Sequence, residues 1–172
     1  MKIDSEKKYL WHLTSEPIEL DSKNRTFLKP MCGYNRTQIE PKGKRICVST
    51  IPEGCFVAIP FERNYEFQLY RSVNKLVSRI PYGVHDAEIT CERWLSEKKL
   101  FELVLTLTPD EKYFKNSFKE IENPNIHEKI MKILRANHFY MGSDDEMDRI
   151  DQRICRNLIA ELPEIKMLKE MK

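Results

Sequence analysis

Glycine-built catalytic patterns are missing from this chain. Its five glycines fall in no G-x-x-x-x-G-K-[ST], G-x-G-x-x-G or G-x-S-x-G spacing, which excludes a phosphate-cradling loop, a dinucleotide fingerprint and a nucleophile elbow. H-E-x-x-H is also absent. Five cysteines (Cys32, Cys47, Cys55, Cys91 and Cys155) form no C-x-x-C pair and no zinc spacing with the four histidines, so no metal is expected. Three of them lie in apolar runs, where a reduced thiol behaves as a small hydrophobe. A reducing, cytoplasmic setting is therefore expected. No apolar stretch approaches the length of a membrane span, so no membrane partner is expected. Met1 to Lys8 is charged rather than apolar and is not expected to be a secretory signal. Internal repeats and low-complexity segments are lacking too.

What remains is the composition of an ordinary globular chain. At 172 residues with 41% hydrophobic and 33% charged residues, it suits one domain that buries a core without staples. Net charge is +2, which makes no general case for nucleic acid, but the charge is unevenly spread. Residues 1–83 carry 14 Lys/Arg against 9 Asp/Glu, and residues 84–172 carry 15 against 18. The densest basic stretch holds Lys23, Arg25, Lys29, Arg36, Lys42, Lys44 and Arg45, opposed by Glu40 alone. It reads either as an attractor of a phosphate-bearing ligand or as a solvated loop. With only Phe27 and Tyr34 as stacking aromatics, nucleic-acid binding through it is not expected.

Periodicity divides the single domain into a strand-rich core over 8–108 and a helical segment over 109–172, an α+β class. Tyr9–Thr14 reads as a strand with Tyr9, Trp11 and Leu13 on one face, and Leu10, His12 and Thr14 on the other. Residues 15–44 form a long excursion with one short strand near Thr26–Leu28. Arg45–Thr50 is a second strand, with Ile46 and Val48 opposed to Cys47 and Ser49. A short helical turn follows at Pro52–Ala58. Tyr65–Val73 is a third strand, and Ala87–Leu95 with Leu100–Thr108 reads as a hairpin. Beyond Pro109 the period becomes 3.6. Asn123-Pro124 opens one helix with a stripe of Ile126, Ile130, Ile133 and Leu134. The capping box Ser143–Glu146 opens another with a stripe of Met147, Ile150, Ile154, Leu158 and Leu162, stopping at Pro163. Within the first of these helices, His127 reads as a surface or flank residue.

Three strand faces carry candidate chemistry. His12 and Thr14 stand together opposite the bulky residues of their strand, either as part of a cleft or as a plain polar face. Ser49 ends the second strand, and its hydroxyl is positioned to meet a ligand if Thr50 takes the helix cap. Glu92, with Glu88 and Thr90 on its face and Trp94 beyond, is a carboxylate beside an aromatic. It can act on a developing positive charge, or simply pair with a surface cation. His85-Asp86 is a weaker acid–base pair.

Taken in order, Tyr9-Leu-Trp-His12-Leu-Thr14, Leu28-Lys-Pro30 and Arg45-Ile-Cys-Val-Ser49-Thr50 with its helical turn resemble the opening of ADP-ribosyltransferase-like domains. More loosely, the framework is similar to small proteins encoded by bacteria and their viruses. The resemblance covers about residues 8–108. It implies a split antiparallel sheet followed by helices, and NAD as substrate. It implies that His12 binds a ribose hydroxyl and that Thr14 assists at the nicotinamide or ribose. It also implies that Ser49 and Phe56 line the nicotinamide side, that Arg45 meets the pyrophosphate, and that Glu92, or failing it Glu88, is the catalytic glutamate. Leu13 stands where the family has glycine, and Phe56 lacks the hydroxyl of a stacking tyrosine. A transferase or glycohydrolase acting on a protein or nucleic-acid acceptor is one expectation. A catalytically silent binding or inhibitor protein that meets a protein target through its helical third is the other.

Overall fold

The computed structural model describes residues 2–32, 43–59, 61, 64–109, 124–138 and 146–171. Among them nine strands and four helices alternate in the order β1 (Ile3–Lys8), β2 (Trp11–Thr14), β3 (Arg25–Leu28), β4 (Met31–Cys32), β5 (Lys44–Ser49), α1 (Pro52–Ala58) and β6 (Phe67–Ser72). Then come β7 (Leu76–Arg79), β8 (Glu92–Leu95), β9 (Lys99–Leu107), α2 (Ile126–Ala136), α3 (Glu146–Ala160) and α4 (Pro163–Glu170). The class is α+β, as the change of period from two to 3.6 predicts.

Eight strands run β1-β7-β8-β5-β2-β6-β9-β3, every neighbouring pair antiparallel, and β4 pairs with β5 off this path. The two halves of this sheet meet at one residue pair, Trp11↔Ser49 between β2 and β5. On their other sides the same strands are well paired, β2 with β6 over four residues and β5 with β8 over four. The sheet is therefore closed at one point on this seam and parts beyond it.

Side chains alternate across β2 and β6, so the core has two layers. Trp11, Leu13, Phe67 and Leu69 face the helices, where they meet Phe56 of α1, Ile130 of α2, Ile159 of α3 and Ile165 of α4. Leu10 and Tyr70 point to the other face and join Leu28, Ile46, Val48 and Phe101. Each fully buried side chain of this size contributes about 1.5–3 kcal/mol relative to exposure, so both layers are needed to hold the sheet.

β9 departs from its apparent alternation. Leu69 opposes Leu105 while Tyr70 opposes Leu103, which leaves Val104 as an extra residue. This bulge flips the strand: Phe101 and Leu103 serve the second layer, and Leu105 and Leu107 the first. The expected hairpin of Ala87–Leu95 with Leu100–Thr108 does not form. β8 pairs with β5 and β7, and β9 with β6 and β3. Residues 85–91 are turns, not strand.

Helix α2 is capped by Asn125, whose side chain accepts from the Glu128 amide at 2.8 Å. The expected start at Asn123 lies outside the described residues, as do Ser143 to Asp145 of the capping box. His127 is not a flank residue. It is fully buried, its ring 4.6 Å from that of Phe61. The buried side of α3 is Gln152, Cys155 and Ile159. Four residues of its expected apolar stripe instead face outward, Met147 at 61%, Ile150 at 45%, Ile154 at 41% and Leu158 at 43% exposure; the fifth, Leu162, lies past the helix end and is partly buried against the helix-side core. No helix of the described residues is long and apolar enough to cross a membrane.

Candidate functional site

A cleft of about 320 Å³ opens where β2 and β5 part. Its position follows from the sheet. One residue beyond the Trp11↔Ser49 pair the strands are no longer hydrogen-bonded to each other. A side chain fills the gap instead: His12 Nδ1 lies 2.9 Å from the Cys47 carbonyl oxygen. A carbonyl can only accept, so Nδ1 carries the hydrogen. Burial pushes the imidazole pKa below its ordinary value, and the Cys47 carbonyl acts in the opposite sense. The shift favours the neutral ring, in which Nε2 is the acceptor nitrogen.

The floor of the cleft comes from α1. Pro52 at the first helical positions starts this helix without a side-chain cap at Ile51. Thr50 is therefore not the cap that the sequence pattern implies. Ser49 takes over the local polar work: its hydroxyl accepts from the Ile51 amide at 3.1 Å and donates to the Thr90 carbonyl at 2.7 Å. Its one proton is committed, so toward a ligand Ser49 can only accept. Gly54 makes this contact possible, because a Cβ there would lie 2.1 Å from the Thr90 carbonyl oxygen and 2.5 Å from Ser49 Oγ.

Thr90 belongs to the turn segment 85–91, which the helices hold from behind. Gln152 of α3 donates to Asp86 Oδ2 at 2.9 Å and to the Val57 carbonyl at 2.8 Å. Arg156 of α3 donates to the Ile89 carbonyl at 2.8 Å. Asp86 is accordingly a structural acceptor; His85 beside it is exposed. The segment ends at Cys91, whose φ of 54° is left-handed. The chain then enters β8 with Glu92 opposite Ser49.

Glu92 lines the cleft, and its Oε1 accepts from Trp94 Nε1 at 2.7 Å. Trp94, opposite Cys47 across the β5–β8 pair, carries the Arg45 guanidinium over its ring at 4.4 Å. The Cys47 thiol sits between Arg45 and Glu92. The residue is exposed as a whole, but desolvation of its sulfur first, then the Glu92 charge, push its pKa up to about 12, with Arg45 opposing. Cys55 beneath is pushed up further by burial and Glu53. Neither thiol is a nucleophile at neutral pH. Electrostatically, the described lining of the cleft has one carboxylate, Glu92, and one guanidinium, the buried Arg45, beside apolar walls of Trp11, Leu13 and Val48.

Of the residues singled out from the sequence, His12, Arg45, Ser49 and Glu92 surround this one cleft. Thr14 and Phe56 do not line it. Thr14 is opposite Gln68 and its hydroxyl accepts from the Glu16 amide at 3.0 Å. Phe56 is fully buried in the helix-side core, edge-on to Phe61 at 5.6 Å. Leu13, in the place of the family glycine, is core and cleft wall at once. Glu88 is exposed on the turn segment and shares no strand face with Glu92. Arg36, Glu40 and Lys42 of the basic stretch lie outside the described residues. The Trp94–Glu92 bond and the Thr90 carbonyl were missed. The first had a signal, an indole two residues along the same strand from a carboxylate; the second had none. Among the described residues, no group of three or more His, Cys, Asp or Glu is arranged to hold a metal ion. Comparison of the chain with protein-family models, with curated proteins and with solved structures found no match.

Proposed function

We propose that the cleft between β2 and β5 binds the nicotinamide-ribose end of NAD and that the protein is an ADP-ribosyltransferase-like enzyme. The observation that carries this reading is the convergence of His12, Ser49 and Glu92, from three separate strands, on one cleft at the single-pair seam of the sheet. The volume is at the lower end of small-molecule pockets, roughly 300–1,000 Å³. That suits the nicotinamide and its ribose, with the remainder of the dinucleotide reaching out past Arg45.

Each group has a fitting role. The acceptor Nε2 of neutral His12 takes a hydrogen bond from a ribose hydroxyl. Ser49 Oγ accepts from the carboxamide amino group. Breaking the bond between the ribose anomeric carbon and the nicotinamide nitrogen sends the bonding pair out with nicotinamide and leaves positive charge on the ribose. A fixed carboxylate at Glu92 stabilises that charge more than it does the ground state. A protein, nucleic-acid or water nucleophile then bonds to the anomeric carbon and loses its proton. The test is nicotinamide release from NAD. Wild type should exceed Glu92→Gln by about 10²–10³-fold, the scale of losing one preorganised electrostatic group. Equal rates would remove Glu92 from the chemistry.

One observation favours a second reading, a binding protein acting through its helical third. Four exposed apolar residues of α3, from Met147 to Leu158, form a continuous stripe of the kind that marks interaction surfaces. A protein target captured by the wild type and lost by the Ile154→Asp, Leu158→Asp double variant would support it. Undiminished capture would rule that face out.

A further inference from the structure

Glu92 and Trp94 lie two residues apart in β8, on one face of the strand. The indole is 5% exposed. It packs against the Arg45 guanidinium, 4.4 Å over its ring, and against Tyr82, edge-on at 5.8 Å. So packed, the ring directs its Nε1–H at Glu92 Oε1, 2.7 Å away. An indole donates and never accepts. It therefore stabilises the ionised carboxylate. Glutamate has three rotatable side-chain bonds, and a charged acceptor on a cleft wall keeps one orientation only when something rigid holds it.

We propose that Trp94 is a positioning residue for Glu92: its indole N–H anchors one oxygen of the carboxylate at the cleft and favours the ionised form. This deepens the reading of the cleft as an NAD site and rests on it for its catalytic meaning. Arg45 belongs to the same device, clamping the face of Trp94, so the residue expected to meet phosphate also holds the ring that orients the carboxylate. A core tryptophan that merely fills space would leave the protonation of Glu92 unchanged when its nitrogen is removed.

The experiment reads the hydrogen bond without requiring turnover. The chain has two tryptophans, Trp11 and Trp94, hence two indole N–H signals in a nitrogen–proton correlation spectrum of the full-length protein. On acidification one of them should move with the titration of a single carboxyl group, and Glu92→Gln should abolish that movement. In Trp94→Phe, which keeps an aromatic ring under Arg45, the carbon-detected titration of Glu92 should shift upward by about one unit. That is the scale of one hydrogen bond to a charged group. The acid limb of kcat for nicotinamide release should shift with it, and kcat should fall about tenfold at unchanged KM. If neither indole signal follows Glu92 in the wild type, or if Trp94→Phe leaves the Glu92 titration in place, the proposal is overturned, whatever NAD does. If the indole follows Glu92 but the wild type releases no nicotinamide, the Trp94–Glu92 link stands and the NAD reading of the cleft is the part that falls.

Discussion

Replacing Gly54 by alanine sets two effects of opposite sign against each other. Within a helix the change stabilises by at most about 1 kcal/mol, because glycine has more backbone freedom to lose on folding. Against this stands the contact beneath the cleft. The new Cβ would lie 2.1 Å from the Thr90 carbonyl oxygen, 2.5 Å from Ser49 Oγ and 2.9 Å from the Thr90 carbonyl carbon. Ordinary contacts begin near 3.4 Å, so α1 and the 85–91 segment must separate by more than an ångström. No rotamer relieves this, since two of the three atoms are backbone. Overpacking of that kind costs about 1–3 kcal/mol, and stretching the 2.7 Å Ser49–Thr90 bond costs about 1 kcal/mol more. The net expectation is a loss of about 1–3 kcal/mol. At roughly 2–4 °C per kcal/mol for a chain of this size, Tm should drop by about 5 °C. Urea unfolding should show a lower midpoint at unchanged slope. An alanine variant as stable as the wild type, or more stable, would show that α1 does not press on Thr90 and that the floor of the cleft is looser than described.

Three further outcomes follow from the same geometry. His12 has a folded pKa below its unfolded value of about 6.5, so the unfolded state binds the proton more readily. Its contribution is intact above pH 6.5 and is lost as pH falls from there toward the lowered folded value. His12→Gln should therefore flatten stability against pH in that window, and an unchanged slope would contradict the desolvation of this half-buried ring. With its pKa at about 12, Cys47 should be thiolate to only about one part in 10⁴ at pH 8. Cys47 is exposed, so iodoacetamide followed by peptide mapping should modify it, but far more slowly than an ordinary exposed thiol, and Glu92→Gln should speed its reaction; alkylation at the rate of an ordinary thiol would refute the assignment. Lys169 of α4 pairs with the buried Glu53 of α1. Lys169→Met strands that carboxylate and should lower stability by about 1–3 kcal/mol, measured by denaturant unfolding; no loss would mean that α4 does not brace the helix under the cleft.

Legibility from the sequence followed the range of the signal. The strands β2, β5 and β6 and the helix α1 were readable because alternation and a proline at a helix start are local. β1 was not, since its residues Ile3 to Lys8 are a charged edge with little alternation to see; it is held to the sheet partly by the Asp4–Arg93 ion pair at 3.1 Å. β9 showed the limit of periodicity. Its apolar alternation is genuine, but one bulge residue, Val104, divides it between two core layers. Strand pairing is a long-range choice, so adjacency in sequence wrongly suggested that β8 and β9 form a hairpin. The stripe on α3 misled for a related reason: amphipathicity names an apolar face, and the fold buried Gln152 and Cys155 beside it instead. At the site, His12, Arg45, Ser49 and Glu92 were legible as polar faces of separate strands. Phe56 was not, because the orientation of a helical turn beneath a sheet depends on packing.

Binding located at the seam is the most direct measurement. In a nitrogen-labelled sample titrated with NAD, saturable shifts should concentrate on Trp11 to Leu13 of β2 and Cys47 to Ser49 of β5. They should weaken when His12 is replaced by alanine. A flat titration at those residues, or shifts confined to the exposed face of α3, would contradict the assignment of the cleft.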